Sequence, residues 1–292
     1  MNQPPPTTIG IATNPTKPEA RARLQELLAL LARQPLTVLL DPETAQLAGR
    51  DRDGVPLAEI AQRADLVIVL GGDGTILHTV RELGEANTRV FGVNIGSLGF
   101  LTAVRCEDMG RSVTEILRGE YTTSERHLLD CTLRRAGQAL ETHRALNDVV
   151  ISRSTFSRIV RLDVFLDAEL LTEYVCDGMI FATATGSTAY SLSAGGPILM
   201  PNTRAFVLTP ICPHALSNRS IIAGRDSVAR CVVASAAGEL LLTIDGQVQR
   251  RMQVGDAIEV CRAPKPVCLV SPLGHSFFEV LRQKLKWSGS NV

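Results

Sequence analysis

Residues 66–70, Leu-Val-Ile-Val-Leu, run without a polar break into Gly71-Gly72-Asp73-Gly74-Thr75, after which the chain takes up the spacing Ile76, Leu77, Val80, Leu83. A short run of purely apolar residues reads as a strand buried on both faces, and apolar positions three and four apart read as one face of a helix. A strand that passes through glycines straight into a helix is the repeating unit of an open α/β sheet, so this junction constrains everything around it. The flanks agree. Residues 9–12 and 37–40 read as strands, Ala20, Leu24, Leu27, Leu28 and Leu31 mark a helix between them, and 90–95 reads as a further strand. The expected first half is therefore an open, mostly parallel sheet whose ligands sit at the carboxyl ends of its strands.

Near residue 126 the texture changes. Residues 130–134, 149–152, 159–166, 228–235, 239–244 and 257–261 alternate in short runs, and Asp245-Gly246 is a two-residue hairpin signal. This half is expected to be predominantly β. The chain closes with Phe277, Phe278, Val280, Leu281 and Leu285 at helical spacing, with Arg282, Lys284 and Lys286 placed late, where cations suit a helix C-terminus. The expected organisation is an α/β domain over 1–125, a β-rich domain over 126–272, and a tail helix over 273–292 that returns to the first domain.

Charge narrows the function. Thirty Lys and Arg balance thirty Asp and Glu, without the basic excess of a nucleic-acid binder or a membrane-surface protein, so neither partner is expected. No apolar run approaches the ~20 residues that span a bilayer. The start, MNQPPPTT, has neither the basic nor the apolar region of a secretory signal, and a cytoplasmic protein is expected. The seven cysteines are scattered and never spaced as CxxC, which argues against zinc and a disulfide framework. Only four of the thirty basic residues are lysines, and none lies between Lys17 and Lys265. That gap removes a Walker-A lysine or a Schiff-base lysine from the middle of the chain.

The glycine loop at 71–75 lets the backbone approach a phosphate, and the helix after it offers free N–H groups. It is neither a Walker A sequence nor G-x-G-x-x-G. Asp73 inside such a loop fits three roles: a ligand of Mg²⁺ on nucleotide phosphates, an acceptor of the proton from a hydroxyl attacking a γ-phosphate, or a helix N-cap after a glycine turn. His78, one helical turn on, can face the same anion.

In 177–197, DGMIFATATGSTAYSLSAGGP, seven of the eleven residues from 183 to 193 carry hydroxyls, and no charge occurs between Asp177 and Arg204. Such a segment suits a polar ligand bound without net charge, or else a Thr- and Ser-rich turn packed inside. Three shorter pieces follow. NIGSLGFLT at 94–102 offers Phe100 either to a base or to the core. Asn147-Asp148 suits adenine or ribose, or an Asx turn. PICPHALSNR at 210–219 reads as a rigid connection.

In order and spacing these pieces resemble the bacterial NAD kinase family. The resemblance runs from Asn14-Pro15 through GGDGT, NIGSLGFL, ALND at 145–148, the segment from Asp177, TPICPHALSNR and DGQ at 245–247 to the KLKW tail at 284–287. It implies transfer of the γ-phosphoryl group of ATP to the 2′-hydroxyl of the adenosine ribose of NAD, with Mg²⁺ or another divalent cation, by a homodimer or homotetramer. It implies Asp73 as proton acceptor, with Gly74 on the nucleotide and Asn147 and Asp148 on adenosine or ribose. It further implies Asp177, Thr185, Ser187, Thr188, Ala189, Tyr190, Ser191, Leu192, Ser193 and Gln247 around NAD, with Arg158, Val175, His78 and Phe100 as further contacts. Asp148 stands where many members have Glu, and Ala184 where many have Pro. GGDGT alone is shared with lipid and sugar kinases, and a silent NAD(P) sensor would keep the binding residues, so both readings stand beside the kinase at this point. Without a central lysine, triphosphate charge falls to backbone N–H groups, a divalent cation and arginine.

Overall fold

A computed structural model describes residues 4–96, 99–153 and 159–287. The chain divides into two compact units, one made of 1–125 with 267–292 and the other of 126–266.

The first unit is built on a sheet in which Thr37–Leu40, Thr8–Thr13, Leu66–Gly71 and Arg89–Asn94 lie side by side and parallel. Every residue of Leu66–Gly71 is buried, with strands paired on both sides and helices Ala20–Leu31 and Asp73–Leu83 packed against it. Helix Ala20–Leu31 buries Ala20, Leu24, Leu27 and Leu31. Helix Asp73–Leu83 buries Ile76, Leu77, Val80 and Leu83, the stripe legible in the sequence.

The strand Val267–Pro272 belongs to this sheet, with Leu269 paired to Val90 in parallel. The sequence reading placed 267–272 at the end of the β-rich segment. Alternating Val267, Leu269 and Val270 specify a strand but not the sheet it joins, and pairing partners alone decide that. The following helix, Phe277–Leu285, lies in the same unit.

The second unit holds two antiparallel six-stranded sheets. Their inward residues, among them Leu133, Ile151, Leu162, Phe181, Val233 and Val260, form one core. Outward positions of Leu129–Arg135, Val160–Leu166 and Val228–Ala236 are less buried, as alternation requires. Gly178–Thr183 is the exception, buried throughout. Its second face, with Ile180 and Ala182, is covered by Ala194 and Ile211, so the segment after Thr183 folds back over its own strand.

Candidate active site

In the first unit three loops meet at the carboxyl ends of parallel strands. Asn14 N–H donates to the Leu70 carbonyl at 2.9 Å and Ile95 N–H to the Gly71 carbonyl at 3.0 Å, which ties the loops after three strands together. Gly72 is the N-cap of the helix and Asp73 its first residue. The Asp73 carboxylate does not cap this helix. It turns to the neighbouring loop, where Oδ2 accepts from Phe100 N–H at 2.8 Å and Oδ1 from Leu101 N–H at 3.0 Å and Thr102 N–H at 3.4 Å. The Thr102 hydroxyl, accepting from Asn94 Nδ2 and Gly99 N–H at 3.0 Å each, fixes that loop in turn. A Cβ on Gly99 would land inside the Asp73 carboxyl group, so only glycine permits this approach.

A carboxylate has about four acceptor positions, and three N–H groups leave roughly one. Asp73 is half-buried, so that position is reachable from solvent. Gly74 beside it is exposed. Phe100 is half-buried, and its ring is a platform for Lys284, whose Nζ stands 6.0 Å from the centroid. The exposed His78 has Nδ1 at 2.8 Å from Arg81 Nη2. A guanidinium only donates, so Nδ1 is the acceptor of this contact.

The second unit repeats the device. Asp245, in the hairpin turn with φ +49°, is buried, and its carboxylate accepts from Leu146 N–H at 2.9 Å, Asn147 N–H at 2.7 Å and Asp148 N–H at 3.0 Å. The Asp148 carboxyl is itself buried beside it. Burial first, and the Asp245 charge second, push Asp148 up from 3.8 to about 7. The turn is locked to the hydroxyl-rich segment. Thr183 N–H donates to the Asn147 carbonyl at 2.9 Å and Thr183 Oγ1 to the Leu146 carbonyl at 2.6 Å. Gly186 packs so tightly on the Asn147 carbonyl that a Cβ there would overlap it.

The hydroxyls sort into two groups. Ser187 Oγ donates to the Ala184 carbonyl and accepts from Leu199 N–H at 2.7 Å, and Ser191 Oγ bonds Thr209 Oγ1 at 2.9 Å. Both are buried scaffolding, and Thr185 Oγ1 is buried with no hydrogen-bond partner among the described residues. Thr188, Ala189 and Leu192 are half-buried, while Tyr190 and Ser193 are exposed. Asp177 is held bidentately by Arg153, Nε to Oδ1 at 2.7 Å and Nη2 to Oδ2 at 3.1 Å. Val175 is half-buried and its carbonyl accepts from His214 N–H, while Gln247 is exposed at the hairpin tip. Arg158 lies outside the described residues, as do Ser97 and Leu98.

Sequence reasoning did not reach the N–H groups of 100–102, Arg153 as partner of Asp177, or Asp245 as more than a turn residue. The hairpin signal at Asp245-Gly246 was present, but nothing local says which N–H groups its carboxylate collects. Among the described residues no group of three His, Cys, Asp or Glu is placed to hold a metal ion. No helix among them is long and apolar enough to cross a membrane.

The family model described as the ATP-NAD kinase N-terminal domain matches residues 9–121, and that described as the ATP-NAD kinase C-terminal domain matches 146–271. The chain is 40% identical over 280 residues to the NAD kinase of Solibacter usitatus, covering 96% of this chain and 97% of that protein. It is 41% identical over 267 residues to that of Geotalea daltonii, covering 90% and 92%. Among solved structures, yeast NADH kinase complexed with NADH superposes with a TM-score of 0.89 at 30% identity, over 99% of this chain and 90% of that one. An NAD kinase from Archaeoglobus fulgidus in complex with ATP shares the fold, with a TM-score of 0.76 at 21% identity over 97% and 100% of the two chains.

Proposed function

This chain belongs to the NAD kinase family, and from that membership we propose how its own residues carry the reaction. It transfers the γ-phosphoryl group of ATP to the 2′-hydroxyl of the adenosine ribose of NAD. The bond from O2′ to the γ-phosphorus forms, the bond from that phosphorus to the β,γ-bridging oxygen breaks, and NADP and ADP leave. Asp73 takes the proton of the 2′-hydroxyl. The observation that carries this role is its clamp: with three N–H groups fixing the carboxylate, about one acceptor position remains for a hydroxyl. Phosphoryl transfer depends chiefly on positioning and electrostatics, which suits a carboxylate with little freedom to rotate.

In the second unit Asn147, Asp148 and Asp177 take adenosine and ribose groups, with Tyr190 packing on a ring and Ser193 and Gln247 completing the NAD site. Ser187 and Ser191 act through the turn they hold, since their hydroxyls are already engaged. A divalent cation, Mg²⁺ or another, supplies charge neutralisation on the phosphates when bound. With no acidic cluster to seat it among the described residues, the triphosphate itself would supply most of its oxygen donors, and Asp73 is the carboxylate that the 71–75 loop contributes. The enzyme works as a homodimer or homotetramer in the cytoplasm. Light scattering after gel filtration checks the assembly.

The test is incubation with ATP, Mg²⁺ and NAD, with NADP read by an NADP-specific dehydrogenase and with donor and metal varied. NADP formation that stops with EDTA is expected. No NADP with any donor or metal overturns the reading, and thermal stabilisation by diacylglycerol or a sugar phosphate but not by NAD would replace it with a lipid or sugar kinase.

A further inference from the structure

The four lysines avoid the whole middle of the sequence, yet the fold brings one of them over the loop that clamps Asp73. Helix Phe277–Leu285 lies in the first unit, and from its last turn Lys284 sets its ammonium over the ring of Phe100. Phe100 is the residue whose N–H holds Asp73 Oδ2. The ammonium and the carboxylate therefore address the same residue, one on its ring face and one on its backbone.

The surroundings say which charge this lysine meets. Among the described residues Lys284 has no ion pair, and an exposed lysine 6.0 Å from a ring centroid is held only weakly there. The contact orients the ammonium and leaves its charge unspent. The arginine on the phosphate-loop helix is differently placed. Arg81 is already engaged, giving Nη2 to His78 and lying 3.4 Å from Glu82 through Nε. Asp73 needs no cation either, because three N–H groups surround it. Lys284 is thus a cation beside the residue that clamps Asp73, the first residue of the helix Asp73–Leu83, and a helix start favours negative charge.

Resting on the kinase reading above, we propose that Lys284, carried over Phe100 by the C-terminal helix, binds the phosphates of the phosphoryl donor. A point charge on a flexible stem suits a triphosphate whose γ-group departs, since it can follow charge onto the leaving diphosphate without fixed bidentate geometry. The role is binding, so its loss appears first in donor affinity.

The experiment compares Lys284→Gln, Lys284→Met, Lys284→Arg and Phe100→Leu with the wild type in steady-state kinetics. Inhibition by inorganic tripolyphosphate and by adenosine is measured alongside. For the Gln and Met variants the KM for ATP is expected to rise about tenfold, with the KM for NAD within twofold. Tripolyphosphate inhibition should weaken in parallel, adenosine inhibition should not change, and the ATP KM should depend less on salt, because a phosphate contact has been lost. The Arg variant should recover most of the ATP affinity. Phe100→Leu should raise the ATP KM about threefold, since orientation is lost and charge is not.

An ATP KM within twofold of wild type in both neutral variants overturns the proposal. So do equal rises for ATP and NAD, or an Arg variant as impaired as Gln, which would make the lysine a lock between helix and loop. If Lys284→Gln does not fold, Lys284→Met keeps the apolar stem packing and decides. Should the wild type form no NADP, the kinase reading fails separately. Tripolyphosphate binding by calorimetry to the wild type and the Met variant then still judges Lys284.

Discussion

Asp148 carries a penalty that a single atom exchange should remove. Its carboxyl is buried beside Asp245, and it titrates near 7 in the folded protein against 3.8 ordinarily. Native Asp148 thus holds its proton more tightly than the unfolded chain does. Raising the pH from about 4 to about 7 strips the unfolded chain first, so stability falls across that interval and levels off above it. At about 1.4 kcal/mol per pH interval, the whole window corresponds to roughly 4 kcal/mol. About 2 kcal/mol of it falls between pH 5.5 and 8.5, where unfolding is readily measured. Asp148→Asn keeps the shape, cannot ionise, and should show none of this slope. Urea unfolding followed by far-UV circular dichroism at both pH values should therefore find the variant gaining on the wild type by about 2 kcal/mol as pH rises. Any constant cost of the substitution cancels in that difference. A gap that stays the same within about 0.5 kcal/mol would refute the assignment of a desolvated, charge-opposed carboxyl. The KM for NAD supplies a second reading: it should depend on pH around 7 in the wild type and be flat in Asp148→Asn.

The other expectations follow from the two carboxylate clamps. Asp73→Asn should retain ATP and NAD binding by calorimetry and lose about 10²–10⁴-fold in kcat, and undiminished turnover would remove it from the proton-acceptor role. Gly99→Ala puts a methyl group where the Asp73 carboxyl lies. It should lower kcat by about 10-fold or more with substrate KM values nearly kept, because the carboxylate must rotate out of line. Asp245→Ala leaves three N–H groups of 146–148 without their acceptor. It should lower stability by about 3 kcal/mol and raise the KM for NAD, and a melting temperature unchanged from wild type would contradict the clamp. In the same variant Asp148 should titrate lower, because the second cause of its raised value is gone.

Much of the fold was legible because it follows from local chemistry. The stripes at Ala20, Leu24, Leu27 and Leu31 and at Ile76, Leu77, Val80 and Leu83 are buried helix faces, and 66–70 is a fully buried strand. Elements with weaker patterns escaped the sequence reading. Gln138–Ala145 is a largely polar hairpin arm exposed along half of its length, and Glu169–Cys176 begins exposed, so neither announces itself by apolar alternation. The hydroxyl-rich segment was singled out for its composition, yet composition does not tell Ser193, which is exposed, from Ser187, which is spent on Ala184 and Leu199.

The sequence alone determined the classes of the two halves and the strand-to-helix turn that presents Asp73. These depend on neighbours within a few positions, and periodicity reports them directly. The tertiary structure decided what those residues touch. It brought the N–H groups of 100–102 to Asp73 and those of 146–148 to Asp245, placed Val267–Pro272 in the first sheet, and set Lys284 over Phe100. Each pairing joins residues distant in the chain through strand register and close packing, and no local pattern specifies a partner that only the folded backbone brings within reach.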